Sequence, residues 1–195
     1  MTTAERPASP ARRVVGLCGS LRVGSFNGFA LQLARTRLPA GWAMDILPWD
    51  DVPPFNADVL SQGLPPSVSR LRQQIAAAEG LVIATPEYNF SLPGMLKNLI
   101  DWLSRGEDQP LAAKPVAIIS ATTGPLGGAR VQYDLRKVLL FVNASVLVKP
   151  EVFIGQASAK FDAAGQCTDS ATAGFVGAQM EAFTRWIDAT RRLAE

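Results

Sequence analysis

The chain contains no histidine among its 195 residues. That absence removes every Ser-His or Cys-His nucleophile pair and every histidine-ligated metal site, so any chemistry here needs another engine. Cysteine is nearly as scarce. Cys18 and Cys167 stand far apart and form no CxxC, which excludes a zinc framework and a disulfide scaffold and fits reduced thiols in a cytoplasmic protein. No apolar run approaches the ~20 residues that cross a bilayer. The longest, such as Val14 to Cys18 and Val116 to Ile119, are strand-sized, so no membrane partner is expected. An excess of one charge is missing too: 19 basic and 17 acidic residues leave a net +2 spread along the chain. Without a basic stripe to follow phosphates, no nucleic-acid partner is expected.

What is present is a globular composition, 48% hydrophobic and 18% charged, at a length that suits one domain with one ample interior. The head, Met1 to Arg13, is rich in Pro, Ala and Ser and ends in Arg12-Arg13. It lacks the apolar segment of roughly 7 to 15 residues that an export signal needs after its arginines. Residues 1–13 are therefore expected to be a disordered tail, and 14–195 a single domain.

Five continuous apolar runs, Val14 to Cys18, Met44 to Leu47, Leu81 to Thr85, Val116 to Ala121 and Ser145 to Val148, predict strands buried on both faces. Helical periodicity fills the intervals at Asn27 to Leu38, Val68 to Ala78, Gly94 to Arg105, Ala129 to Phe141 and Ala171 to Leu193. Alternating strands and helices of this kind predict an α/β doubly wound parallel sheet. The Gly94 helix carries Leu92, Met95, Leu96, Leu99, Ile100 and Leu103 on one face, with Trp102 at the margin of the stripe. Either this is all monomer core, or Trp102 and its neighbours extend into a subunit interface. The last helix, with Phe175, Ala182, Phe183, Trp186, Ile187 and Leu193, is assigned to the core. The 19 residues from Pro48 to Pro66 hold five prolines and show no helical or strand period. They read either as a solvated loop with one anchored aromatic or as a border to a site.

In an open parallel sheet ligands bind beyond the carboxyl ends of the strands. After the first strand comes Gly19-Ser20-Leu21-Arg22-Val23-Gly24-Ser25-Phe26-Asn27, which runs straight into a helix. Exposed N–H groups at a helix start, hydroxyl donors and one guanidinium make a phosphate cradle. Gly19 and Gly24 have the spacing of a nucleotide triphosphate loop, but Ser25-Phe26 stands where that loop needs Lys and a hydroxyl. Gly16, Gly19 and Gly24 do not make the G-x-G-x-x-G of a dinucleotide site either. After the third strand the chain reads Pro86-Glu87-Tyr88-Asn89-Phe90-Ser91, and after the fourth Thr122-Thr123-Gly124-Pro125-Leu126-Gly127-Gly128. Glycines allow close backbone approach and Tyr88 offers a π face, so these two loops suit a flat polar ring. Together the three loops describe a mononucleotide site.

The combination of Gly19-Ser20-Leu21-Arg22 with Ser25 and Asn27, then Pro86-Glu87-Tyr88-Asn89 with Ser91, Pro93, Gly94, Lys97, Asn98, Asp101 and Trp102, then Gly124 with Gly127-Gly128-Ala129-Arg130, resembles the NADPH-dependent FMN reductase family of flavodoxin-like quinone and chromate reductases. The resemblance implies a five-stranded flavodoxin-like sheet of order 2-1-3-4-5, noncovalent FMN, NAD(P)H as substrate and assembly into homodimers or homotetramers. It implies hydride transfer by way of FMN to a quinone-like or other small electron acceptor. By position it assigns Ser20, Arg22, Ser25, Asn27 and the Phe26 amide to the FMN phosphate, Pro86, Glu87, Tyr88 and Asn89 to the flanks of the ring, and Ser120 and Gly124 to its pyrimidine side. The loop from Gly124 to Gly128 is the candidate source of donors that stabilise the reduced ring. No protein nucleophile or metal ligand is required, because the flavin carries the chemistry. The alternatives are a flavodoxin-type electron carrier and a redox regulatory protein that holds FMN without turnover. Flavodoxins are typically strongly acidic with a T-x-T-G-type loop, unlike this chain.

Overall fold

In the computed structural model, which describes residues 12–194, the continuous apolar runs become parallel strands. β1 (Arg12–Cys18), β2 (Trp42–Ile46), β3 (Leu81–Thr85) and β4 (Pro115–Ala121) lie in the order β2-β1-β3-β4. Every residue of β3 and β4 is buried, as strands covered on both faces require. Val15 stands opposite Leu81, and Leu81 opposite Val116, so alternate side chains gather on common faces across the sheet.

Those two faces hold two apolar clusters. On one, Val15, Leu17, Leu81, Ile83, Val116 and Ile118 pack against α3 (Pro66–Ala77), α4 (Gly94–Leu103) and α5 (Ala129–Phe141). On the other, Val14, Val82, Ala84, Ala117 and Ile119 meet α1 (Phe26–Thr36) and α6 (Ser170–Ala194) through Leu31, Ala34, Val176, Met180, Phe183 and Ile187. Each fully buried aliphatic side chain contributes about 1.5 to 3 kcal/mol, so these faces dominate the stability. Three helix starts have a local cause: Ser25 caps α1, Pro66 opens α3 where its missing N–H costs nothing, and Asp169 accepts the Thr172 N–H at 2.8 Å to begin α6.

The expected order 2-1-3-4-5 holds, but the fifth position is split. β5 (Ser145–Val146) pairs with the start of β4 and β6 (Val152–Ile154) with its end. Leu147 still donates to the Val116 carbonyl at 2.8 Å, after which Lys149-Pro150 interrupts the ladder, because proline has no N–H to give. The continuous strand expected to Val148 therefore stops early. Two buried glutamines from opposite helix layers replace the lost bonds. Gln179 of α6 donates to the carbonyls of Ile118 (3.0 Å) and Pro150 (2.9 Å), and Gln132 of α5 donates to that of Val152 (2.8 Å).

Four further expectations are corrected. Arg12 and Arg13 open β1 rather than closing a tail: Arg12 pairs with Glu79 and Asp188 and lies 3.9 Å over the Trp42 ring. Residues 1–11, the rest of the expected tail, lie outside the described residues. The Pro48 to Pro66 stretch is largely exposed around an anchored aromatic, as one of its two readings has it, but it is not free of a helical period. It contains the short helix α2 (Ala57–Ser61), capped by Asn56, and Trp49 is buried in it. Trp102 is not at an interface margin but wholly inside the monomer, so the core reading of that helix stands, with Met95 alone of its stripe well exposed. Phe175 and Leu193, assigned to the core, are instead exposed on α6. Among the described residues no helix is long and apolar enough to cross a membrane, and no cluster of three or more potential metal ligands occurs.

Candidate functional site

The loop from Gly19 to Asn27 leaves β1 and enters α1, with Gly24 turning it at φ +69°. Ser25 Oγ accepts the Asn27 N–H at 3.2 Å, which fixes the first turn of the helix. Among the described residues the N–H groups of Val23, Gly24, Ser25 and Phe26 have no protein acceptor. Four free donors at the positive end of a helix dipole constitute an anion site. Arg22 is exposed beside them, its Nη1 donating to the Val23 carbonyl at 3.3 Å, while Ser20 Oγ accepts the Arg22 N–H at 3.4 Å. Beneath the loop lies the half-buried Cys18, whose thiol is pushed up by burial, against the opposing effect of its contacts with Ser20 and Ser25. The Trp49 indole N–H donates to the Cys18 carbonyl at 3.0 Å and so pins the strand end where the loop begins.

Asn27 has a structural part besides the one its position suggests. Its side chain is 2% exposed and bonds both ways to Ala121, donating to the carbonyl and accepting the N–H, each at 2.9 Å. One N–H and the oxygen of the amide tie the first loop to the end of β4, so Asn27 braces the loop with its second N–H left over.

The loop after β3 is a two-residue hairpin. Tyr88 and Ser91 exchange both backbone bonds at 2.9 Å, and Asn89 and Phe90 between them take φ +50° and +69°. Two successive positive φ values are the signature of the type I′ turn that twists correctly between strands. Pro86 is buried and Tyr88 half exposed. The Glu87 carboxylate faces away from the loop tip: it pairs with Arg130 (2.5 Å) and accepts the Val131 N–H (3.3 Å). Glu87 thus caps α5, whose own N-cap Gly128 has no side chain. Arg130 in turn stacks 3.9 Å over the Phe90 ring. One guanidinium therefore joins the two loops expected to flank a ring.

The loop after β4 is held from behind: Thr122 donates to the Ile154 carbonyl (3.0 Å), and Gln156 and Ala157 donate to those of Gly124 (3.1 Å) and Thr122 (3.0 Å). Ser120 is fully buried beneath it. Its hydroxyl donates to the Gly127 carbonyl at 2.6 Å and accepts from Gln132, so it supports the loop instead of facing a ligand.

Two adjoining hollows result. One, of about 180 Å³, is lined by Ser20, Arg22, Ser25, Phe26, Asn27, Pro86, Glu87, Tyr88 and Ala121 to Thr123. The other, of about 330 Å³, is lined by Glu87, Thr122 to Leu126, Gly128 and Arg130. They share Glu87, Thr122 and Thr123, and together fall in the range of about 300 to 1,000 Å³ usual for small-molecule sites. A roomier hollow of about 510 Å³ lies at the amino ends of the strands around Glu79, Lys114 and Arg191, away from all three loops. Of the expected residues, Asn89 and Ser120 line neither hollow, and Ser120 lies behind the second. Thr122, Thr123 and Arg130 were missed as site residues. The threonines were findable as the first residues past a strand's carboxyl end, and Arg130 as the first cation of the following helix.

Comparison with known proteins agrees with this geometry. The family model described as NADPH-dependent FMN reductase matches residues 12–159. The chain is 45% identical over 175 residues to an NAD(P)H-dependent FMN reductase of Pseudomonas aeruginosa, covering 90% of this chain and 95% of that one. It is 47% identical over 178 residues to a quinone reductase of Escherichia coli, covering 90% and 95%. Among solved structures it superposes on FerB, a flavoenzyme NAD(P)H:(acceptor) oxidoreductase from Paracoccus denitrificans, with a TM-score of 0.83 at 34% identity, covering 91% of this chain and 98% of that one. The chain belongs to the NADPH-dependent FMN reductase family and is an NAD(P)H-dependent oxidoreductase that uses FMN.

Proposed function

We propose that this enzyme, a single domain over the described residues, reduces quinones or similar small acceptors, with FMN seated across the two adjoining hollows. The observation that carries the reading is their shared wall at Glu87, Thr122 and Thr123: an anion cradle opens on one side of it and a hollow between two rigid loops on the other. Ser20, Arg22, Ser25 and the Phe26 N–H hold the phosphate. Pro86, the Glu87 backbone and Tyr88 bound the ring on one side, and Thr123 and Gly124 on the other, where backbone donors meet charge that develops on reduction. Bound FMN supplies two-electron transfer between NAD(P)H and the acceptor. The half-exposed Tyr88 leaves one side of the site open to both substrates in turn.

Initial rates at varied NAD(P)H and several fixed quinone concentrations should give parallel double-reciprocal lines, because one site serves both substrates. Intersecting lines would refute the shared site, and negligible NAD(P)H oxidation with every acceptor in a panel would favour the electron-carrier or regulatory reading. Arg22→Ala tests the phosphate assignment. Loss of a charge-assisted bond should weaken FMN binding roughly ten- to a hundredfold and leave riboflavin binding nearly unchanged. Equal loss for both ligands would place Arg22 elsewhere.

The reading extends to assembly and location. Tyr133, Leu140 and Phe141 are exposed apolar side chains on α5, which supports a homodimer or homotetramer. The unpaired thiols of Cys18 and Cys167 support a cytoplasmic setting.

A further inference from the structure

Gln132 is a polar residue on the buried stripe of α5, between Val131 and Leu135, with no exposure to solvent. Its amide group makes two bonds of 2.8 Å, to the Val152 carbonyl and to Ser120 Oγ. A carbonyl can only accept, so the amide nitrogen must face Val152, and the second N–H then points at Ser120. Ser120 Oγ accepts that hydrogen and has a single proton of its own, which it donates to the Gly127 carbonyl at 2.6 Å. The direction of the chain Gln132 to Ser120 to Gly127 is thus fixed by the chemistry of its two ends.

What this chain holds is the turn that ends the β4 loop. Gly127 and Gly128 take φ +60° and +79°. A Cβ on Gly127 would lie 2.7 Å from the Phe153 carbonyl carbon, and one on Gly128 would lie 2.8 Å from Ser120 Cβ. The turn lies close against β6 and Ser120, with no room for a side chain at either glycine. The segment it anchors, Thr122 to Leu126, walls the 330 Å³ hollow. The Gln132 carbonyl oxygen is itself buried without a hydrogen-bond partner. A buried amide normally satisfies both ends, so this one is kept for its donors.

We propose that Gln132 is a positioning residue for the flavin ring, acting through Ser120 to fix the Gly127 carbonyl and so aim the backbone donors of Thr123 and Gly124. The proposal rests on the placement of the ring in that hollow. It separates the two halves of the site: Arg22 governs the phosphate, and Gln132 governs the ring without touching it.

The test compares Gln132→Glu, Gln132→Leu and Ser120→Ala with Arg22→Ala in the full chain, reading FMN and riboflavin affinity by flavin fluorescence and the midpoint potential of the bound flavin. Gln132→Glu turns a donor into an acceptor, which draws the Ser120 proton away from Gly127. It should weaken FMN and riboflavin alike, on the order of tenfold, and lower the potential. Ser120→Ala, which removes one atom and cannot clash, should do the same to a smaller degree, and adding it to Gln132→Leu should change little further, because the two act in series. Variants that lose thermal stability but keep both affinities and the potential would overturn the relay and leave Gln132 a structural residue. If Arg22→Ala weakens FMN while the Gln132 variants do not, the relay alone fails. If none of the four changes FMN binding, the placement of the cofactor fails with it.

Discussion

Two loops at the carboxyl edge of the sheet differ in a way opposite to their sequences. The Pro48 to Pro66 stretch is long and rich in proline, yet its backbone is spent on the protein. Asn98 accepts the Phe55 N–H at 2.6 Å and donates to the Pro53 carbonyl at 2.9 Å, and the Trp102 indole donates to that same carbonyl at 2.8 Å. The Phe55 ring meets Trp102 edge-on at 4.9 Å, and the Arg105 guanidinium lies 4.8 Å over it. The Gly19 to Asn27 loop is half the length and leaves Leu21, Arg22, Val23 and Gly24 exposed, with the backbone donors from Val23 to Phe26 without a partner among the described residues. Order in a loop therefore follows from where its polar backbone groups find partners, not from its length. The long loop has its partners inside the chain, and the short one reserves them for a ligand.

Breaking the long loop's anchor should have the largest effect. Trp102→Glu puts a carboxylate with no cation into the core, removes the indole from Phe55 and deletes the bond to Pro53. It should destabilise the fold by more than about 4 kcal/mol in chemical denaturation, or prevent recovery of folded protein. A stable, folded variant altered only in its assembly would restore the interface reading that the buried position contradicts. Asn98→Ala is milder, since Trp102 still serves Pro53 while the Phe55 N–H loses its partner. A loss of about 1 to 3 kcal/mol is expected, with faster proteolysis between Val52 and Asn56 and unchanged FMN affinity. A large drop in FMN affinity would mean that the two loops are not independent.

The smallest effect concerns Cys18, where the Trp49 bond joins the two loops. Burial raises the folded thiol above its ordinary value of 9.0, so the folded state keeps a proton that the unfolded state has released. Stability should then fall as pH rises from about 9 toward the folded value, by less than about 1.4 kcal/mol per pH unit. Cys18→Ala should flatten that part of the profile relative to the parent. An unchanged slope would show that other groups account for it.

The sheet, its order and the three ligand loops were legible because buried parallel strands and glycine-bearing turns leave local signals. Side-chain destinations were not. Asn27 and Ser120 lie in motifs that suggest ligand contact, yet each turns inward, because a loop that offers its backbone to a ligand must be braced by something else. Glu87 was likewise legible as a loop residue but not as the cap of a helix 43 positions away, which only the fold creates. The split of the fifth strand was signalled by Lys149-Pro150, a break that a run of apolar letters from Ser145 to Val148 conceals. Asn98 and Trp102 were visible as motif letters, but their common target, one carbonyl in a distant loop, was not.

The interrupted fifth strand has a consequence for life at high concentration. A sheet ends in a row of unpaired backbone groups, and a long flat edge is a template on which a second chain can add a strand. Here that edge consists of one piece of two residues and another of three, with a proline and a lysine between them. Along this edge no register longer than three residues is on offer to a stray strand. The kink that Gln132 and Gln179 repair from within thus guards this edge of the sheet from without, against aggregation along it.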